Sequence, residues 1–210
     1  MIPGAGDSPW YWHLVVPELR ERGHDAVAVD LPCDDDSAGL AEYADAVVAA
    51  VGDRTDLVVV AQSLGGFTAG LVCDRTPVDL LVLVAGMVPA PGETFWEWGE
   101  NTGLEAGEGD PIDVFLHDVP PDLAAEALRR GRDQSSTPLA QPWPLDAWPD
   151  VPTRYLLCTE DRMFPPDFTR RMVRDRLGIV PDEIESSHCP ALSHPEELAE
   201  RLVGYLGSSA

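Results

Sequence analysis

The chain has 210 residues, of which 44% are hydrophobic and 24% are charged, a composition typical of folded globular proteins that excludes disorder for most of its length. Its 37 Asp and Glu residues outnumber 14 Arg residues, there is no Lys, and the formal net charge is −23. Such a charge repels nucleic-acid phosphates and anionic membranes, so we expect neither as a partner. The lack of lysine also excludes Schiff-base chemistry.

The localisation and the state of the thiols are predicted from the same sequence. No apolar stretch reaches the roughly 18 residues that a membrane span needs, and the first residues do not read as a secretory leader. Cys33, Cys73, Cys158 and Cys189 are far apart and form no C-x-x-C pair. We therefore expect a cytoplasmic protein with reduced thiols, without a metal or an organic cofactor. The sequence does not predict the oligomeric state.

Apolar runs and helical patterns alternate along the chain, which indicates an α/β fold. Strands are predicted over residues 26–31, 56–61, 80–85, 153–158 and 183–185, and helices over residues 37–51, 65–73, 168–177 and from about 193 onward. The runs at 56–61 and 80–85 are continuously apolar, as in parallel strands that are buried on both faces. We expect a single domain over residues 1–210.

Between Pro89 and Pro152 the alternation of strands and helices breaks off, and it resumes afterwards. This stretch contains four of the six Trp residues and many of the prolines and glycines. Because the α/β pattern continues beyond it, residues 90–150 are predicted to be an insertion into the domain. Insertions of this kind often form lids or pocket walls.

Ser63 follows a buried strand directly and precedes two glycines and a helix. This is the context of a nucleophile elbow, in which a tight strand-to-helix turn exposes the serine hydroxyl. Small residues two positions before and two after the serine let neighbouring backbone pass closely. The usual pattern has Gly where this chain has Ala61, but a single methyl group is small. The alternative is a serine that caps an ordinary helix.

A serine nucleophile needs a base, and the base needs an orienting carboxylate. His188 lies between the last predicted strand and the last helix, whereas His194 lies at the start of that helix. Asp161 follows the fourth predicted strand, with Glu160 as the rival acid. The order Ser, Asp, His along the chain matches that of one hydrolase fold. We predict Ser63 as the nucleophile, His188 as the base and Asp161 as the orienting acid.

The sequence resembles the α/β-hydrolase superfamily along nearly its whole length. The resemblance is carried by Pro3-Gly4-Ala5-Gly6, Trp10-Tyr11-Trp12, Gly23-His24, Val29-Asp30-Leu31-Pro32, Gln62-Ser63-Leu64-Gly65-Gly66, Thr159-Glu160-Asp161 and residues 188–197. The start of the chain and residues 87–93 are similar to a branch that contains plant methylesterases, hydroxynitrile lyases and bacterial esterases. The resemblance implies a mostly parallel sheet flanked by helices, with a small lid insertion. Members of the superfamily carry a core strand before Pro3, where this chain has only two residues, so we expect a truncated N-terminal strand, which reflects either a late start of the reading frame or a short sheet.

By the same resemblance, the backbone N–H groups of Ala5 and Leu64 form an oxyanion hole, and the activity is hydrolysis of a carboxylic ester through an acyl-enzyme. A small-molecule ester is therefore the expected partner. Aromatic and apolar residues suggest a pocket for a small apolar ester. The pocket candidates are Trp10, Trp12, Met87, Phe95, Trp96, Trp98 and Phe164.

Several other functions use related sites. Hydroxynitrile lyases of the similar branch carry Lys after the catalytic histidine, whereas this chain has Cys189 there, which favours hydrolysis. Dehalogenases and epoxide hydrolases need an aspartate nucleophile, and Ser63 argues against both. Hydrolysis of a thioester or a carbon–carbon bond uses the same residues and stays open. So does a non-catalytic protein of this fold, either a ligand receptor or a decayed enzyme.

Overall fold

A single parallel sheet organises the molecule. The computed structural model describes residues 1–207, and the four strands of the sheet lie in the order β1-β2-β3-β4. Their bounds are β1 (Val58–Gln62), β2 (Leu80–Val84), β3 (Thr153–Cys158) and β4 (Asp182–Ile184). All three pairings are parallel. Strand β2 is completely buried, as its continuous apolar run predicted.

Helices surround this sheet. In residues 1–207 they are α1 (Val15–Glu21), α2 (Leu40–Val51), α3 (Gly65–Arg75), α4 (Phe95–Thr102), α5 (Pro111–Phe115), α6 (Pro121–Arg130), α7 (Thr137–Ala140), α8 (Pro166–Leu177), α9 (Pro190–Ser193) and α10 (Pro195–Gly207), with a 3-10 helix at Pro9–Trp12. The predicted α/β fold with a parallel sheet is thus confirmed, and the four predicted helices are present with shifted ends. Over the same residues, no helix combines the length and the apolarity that crossing a bilayer requires.

The strand predicted over residues 26–31 is not formed, and this prediction was wrong. Only Met1 and Ile2 lie between these residues and β1: the Val29 N–H donates to the Met1 carbonyl over 2.9 Å, and the Ile2 N–H donates to the Val60 carbonyl over 2.7 Å. A segment of two residues is too short to carry a ladder on both of its sides. It therefore makes one isolated bridge, from Ile2 to Ala61. The truncation of the N-terminal strand stays a prediction.

The region predicted as an insertion carries α4 to α7 and packs into the main core. Trp98 and Trp143 are both about 1% exposed. Their indole N–H groups donate to the carbonyls of Val88 and Phe67, each over 3.0 Å. Residues 90–150 therefore share the hydrophobic core with the sheet, and their role as a lid stays a prediction.

Candidate active site

Ser63 lies at the carboxyl end of β1, in the sharp turn that leads into α3. Its φ is +51°, in the left-handed region that a residue with a side chain rarely adopts. Three backbone hydrogen bonds hold the turn: Ser63 N–H donates to the Val84 carbonyl (3.3 Å), and the Ser63 carbonyl accepts from Gly66 (3.1 Å) and Met87 (2.9 Å). This is the strained geometry expected of a nucleophile elbow.

The glycines around the turn are there because neighbouring backbone passes very close. A Cβ atom on Gly66 would lie 1.9 Å from the Met87 carbonyl oxygen, and one on Gly65 would lie 2.7 Å from the Pro3 carbonyl oxygen. Ala61, which stands where the pattern usually has Gly, is fully buried in the bridge to Ile2. The close approach that the sequence predicted is therefore present.

His188 lies in the loop between β4 and α9, with its ring against Asp161, which follows β3. The imidazole Nδ1 and Asp161 Oδ2 are 2.7 Å apart, and both residues are buried. Asp161 Oδ1 accepts two backbone N–H groups, from Met163 (2.8 Å) and Phe164 (2.9 Å). These bonds fix the carboxylate and orient the ring. The rival acid, Glu160, has an exposed side chain that makes no contact with the ring.

One cavity of about 470 Å³ brings Ser63 and His188 together. The rings of Phe164 and Phe115 flank the imidazole, with centroids at 5.1 and 5.5 Å. Among residues 1–207 the Ser63 hydroxyl makes no hydrogen bond, to His188 or to any other group. Hydrogen bonds of catalytic groups are often long without substrate and tighten when substrate binds.

Two free backbone donors also line this cavity. The N–H groups of Ala5 and Leu64 donate no hydrogen bond within the described residues. Leu64 precedes the first turn of α3, where the aligned peptide dipoles favour negative charge. An oxygen that becomes negative during a reaction at Ser63 would therefore find a favourable environment here.

Segment 131–135, near the end of the predicted insertion, forms hydrogen bonds with the loop that carries Ala5. The Gly6 N–H donates to Gln134 Oε1 over 3.1 Å, and the Arg132 N–H donates to the Gly6 carbonyl over 2.7 Å. The Arg132 guanidinium adds a bond to the Asp7 carbonyl over 2.7 Å. The two residues before this loop make only one isolated bridge, so these hydrogen bonds do much to fix the position of the loop.

Three of the predicted pocket residues, Met87, Phe95 and Phe164, line the cavity. The four tryptophans among the candidates lie outside its lining. Trp12 and Trp98 are buried in the core, Trp96 is 61% exposed, and Trp10 stacks on His13. The 3-10 helix has three residues per turn, so its successive side chains point in different directions. Tyr11, between the two predicted tryptophans, is the residue that faces the cavity.

The lining also contains residues that sequence reasoning missed. The apolar ones are Tyr11, Pro111, Phe115, Leu116, Ala127, Leu128, Met163 and Leu192, and the polar ones include Asp7, Gln62 and Arg132. Burial raises the pKa of Asp7 to about 6, although the charges of His188 and Arg132 act in the opposite direction. The only signal for Asp7 in the sequence is its place two residues after Ala5. The insertion carries no strand pattern from which its lining residues could be assigned.

The thiols take no part in this chemistry. All four cysteines are free within the described part of the chain. Burial raises the pKa of Cys189, next to His188, well above its ordinary value. Its side chain is therefore a thiol near neutral pH, and a thiol is a poor nucleophile.

Another cavity, of about 530 Å³, lies away from these groups. It is lined by Met1, Val47, Val58 and Leu202 among others, and it contains none of the predicted site residues. The cavity at Ser63 is therefore the one with catalytic potential.

The model of the alpha/beta hydrolase family matches residues 1–201. The chain belongs to this family. The hydrolase is 25% identical to "Methylesterase 7" of Arabidopsis thaliana over 97% of this chain and 94% of the relative. It is 21% identical to "Norfluorocurarine synthase 1" of a Strychnos species over 96% of this chain and 92% of the relative. An extracellular alpha/beta-hydrolase from a Paenibacillus species has a TM-score of 0.82 at 19% identity, over 97% and 96% of the two chains.

The relatives confirm the resemblance that the motifs suggested. The protein is an α/β-hydrolase of the methylesterase-like branch, and it is an enzyme of the esterase type. The fold is the one shared with the solved structures.

Proposed function

We propose that this hydrolase cleaves a small apolar carboxylic ester, with Ser63 as the nucleophile, His188 as the base and Asp161 as the orienting acid. The bond of 2.7 Å between His188 and Asp161, in the cavity onto which the Ser63 turn opens, carries this proposal. A nucleophile, a base and an orienting carboxylate in this chain order are typical of serine hydrolases.

In the proposed mechanism, His188 Nε2 accepts the proton of the Ser63 hydroxyl while Oγ attacks the ester carbonyl carbon. The Nδ1–H of the ring donates to Asp161, which stabilises the imidazolium that forms. The N–H groups of Ala5 and Leu64 hold the tetrahedral oxyanion. His188 then protonates the departing alcohol, and an acyl-enzyme remains. Water repeats the sequence and releases the acid.

The shape and lining of the cavity support a small, largely apolar substrate. Its volume of about 470 Å³ lies at the lower end of small-molecule sites. Aromatic and aliphatic side chains form most of the wall. The name of the Arabidopsis relative, a methylesterase, is in keeping with an ester that has a small alcohol part.

The proposal is tested by hydrolysis of p-nitrophenyl esters of increasing acyl length, measured with the natural protein and with Ser63→Ala. We expect preference for short acyl groups, and a loss of kcat of at least about 10⁴-fold in Ser63→Ala, because no other group supplies the attacking oxygen. The matched control is Ser37→Ala, an exposed serine before α2 whose loss should leave the rate unchanged.

Covalent labelling separates an enzyme from a non-catalytic receptor. A fluorophosphonate probe should label the natural protein at Ser63 and should not label Ser63→Ala. A protein that binds esters but neither cleaves them nor reacts with the probe would be a receptor, and the proposed mechanism would then be abandoned.

A further inference from the structure

Asp7 is an unpaired acid inside the candidate active site. It lines the same cavity as Ser63 and His188. Its carboxyl oxygens make no hydrogen bond and no ion pair with any group in residues 1–207. A carboxylate without a partner in a mainly apolar cavity is costly, so this residue needs an explanation beyond packing.

The nearest cation is already engaged elsewhere. The Arg132 guanidinium donates to the backbone carbonyls of Asp7 (2.7 Å) and Leu31 (3.0 Å). It forms ion pairs with Asp30 at 3.0 Å and with Asp34 at 3.8 Å. The guanidinium thus pairs with two other carboxylates and forms no ion pair with the Asp7 carboxyl, on which it acts only through its charge.

The other polar groups that face Asp7 leave room for an added cation. Tyr11 of the 3-10 helix and Cys189 before α9 are uncharged, because burial raises the pKa of both well above its ordinary value. Gln62 at the end of β1 is uncharged and donates to the His188 carbonyl over 3.2 Å. His188 is the titratable group that faces Asp7 from the loop after β4, and its Nδ1 is engaged by Asp161.

We propose that Asp7 binds a protonated amine of the substrate, so that the preferred esters carry a cationic N–H group close to the scissile bond. This inference rests on the proposed function and refines it: the preferred ester is apolar apart from one ammonium group, which meets Asp7. A cationic N–H group would give the carboxylate a charge-assisted hydrogen bond that no described residue supplies. The formal charge of −23 also favours the approach of cations.

The test compares two esters of nearly the same shape, 2-(dimethylamino)ethyl butyrate, which carries the ammonium, and 3-methylbutyl butyrate, which is neutral. We expect kcat/KM to be about 10- to 100-fold higher for the amine ester near neutral pH, the range for a hydrogen bond to a charged group. In Asp7→Asn, which keeps the volume of the side chain, the ratio of the two kcat/KM values should fall close to one.

The pH dependence of the ratio tests the same idea without a variant. Because burial raises the pKa of Asp7 to about 6, the acid takes up a proton as the pH falls through that value. The preference for the amine ester should therefore decline below about pH 6. Using the ratio cancels the pH dependence that the catalytic groups impose on both esters.

The matched control is Asp53→Asn, which removes the same charge from an exposed loop away from the cavity. The ratio should not change in this variant; an equal fall in Asp53→Asn would overturn the role of Asp7, because overall charge would then explain the preference. A natural protein that cleaves the neutral ester without preferring the amine also overturns it, while the proposed function stands. If neither ester is cleaved, the proposed function itself fails.

Discussion

Around Ser63, one unusual dihedral angle and two absent side chains present the hydroxyl. The φ of +51° turns the chain back on itself, and the missing Cβ atoms of Gly65 and Gly66 let the backbone at Pro3 and Met87 pass on either side. The strain and the close contact at Met87 depend on each other, because the Met87 N–H donates to the Ser63 carbonyl and helps to hold the turn.

Gly66→Ala should destabilise the protein by at least about 2 kcal/mol, because the new methyl group would lie 1.9 Å from a backbone oxygen that cannot move freely. Urea unfolding measures the loss. The control is Gly204→Ala in α10, where a Cβ atom meets nothing within 4 Å and the exchange should instead stabilise by about 0.5–1 kcal/mol. Equal effects of the two substitutions would refute the packing argument.

Asp7 has a second measurable effect, on stability. Its pKa is about 6 in the folded protein and near its ordinary value when unfolded, so the unfolded chain ionises first as the pH rises. The free energy of unfolding is therefore not reduced by Asp7 below about pH 4, where the carboxyl is protonated in both states. It falls as the pH rises from about 4 to about 6. Asp7→Asn should raise the free energy of unfolding near neutral pH, on the order of 2 kcal/mol, with no gain below about pH 4. A gain that is the same at both pH values would contradict this account.

Single residues also show how much of the candidate site could be predicted from the sequence. Ser63 and its two glycines follow one another along the chain, so their pattern predicted both the turn and the close contacts. Asp161 and His188 were chosen by their places after predicted strands, and the structure puts them in contact. The charges that act on Asp7 belong to Arg132 and His188, more than a hundred positions away, which no local pattern brings together.

Among the elements, segment 131–135 supports the loop that carries Ala5. The isolated bridge at Ile2 fixes this loop weakly, and segment 131–135 adds hydrogen bonds at Gly6 and Asp7. Gly6 itself adopts a φ of +64°, and a Cβ atom there would lie 2.6 Å from the Arg132 carbonyl oxygen. The predicted insertion thus takes part in holding the loop that carries Ala5, besides forming part of the wall of the cavity.

Gln134→Ala should lower kcat about 10-fold with a smaller change in KM, because losing the acceptor for the Gly6 N–H lets the neighbouring Ala5 donor drift. Steady-state kinetics on a p-nitrophenyl ester separates the two constants. Gln134→Glu keeps the oxygen that accepts from Gly6 but loses the amide N–H groups that donate to Tyr43 and the Ser135 carbonyl, so it should restore part of kcat. If the glutamate variant is as slow as the alanine variant, the hydrogen bond to Gly6 is not what positions the loop.

The strand predicted over residues 26–31 does not form, because the segment beside it is too short to pair with. Residues 26–31 have the apolar composition of a strand, but a ladder also requires a partner of sufficient length. Composition describes a segment by itself, whereas pairing depends on what lies beside it. The strands at β1, β2 and β3 were predicted well because each pairs with a neighbouring strand along most of its length.

For the molecule as a whole, the surplus of acids acts on stability. The formal charge of −23 sets up repulsion that the folded state must bear, and exposed ion pairs such as Arg54 with Asp25 offset little of it. The net charge could be predicted from composition alone. The shape of the cavity could not, because it depends on which residues are in contact.

The melting temperature should rise by about 3 °C or more between low salt and about 0.5 M NaCl at neutral pH, because ions screen the repulsion over distances that exceed the Debye length at that concentration. Calorimetry in a salt series measures the change. A melting temperature that falls with added NaCl would show that the ion pairs outweigh the repulsion.

The division of labour between the sheet and residues 90–150 has a consequence for how this enzyme could diversify. Ser63, Asp161 and His188 all follow sheet strands, whereas Phe95, Phe115, Leu116 and Leu128 lie in or beside the helices of residues 90–150. Exchanges at Leu116 or Leu128 would alter the wall of the cavity without changing the proposed catalytic groups. Under the proposed function, single substitutions in these helices should therefore shift substrate preference and spare the reaction chemistry.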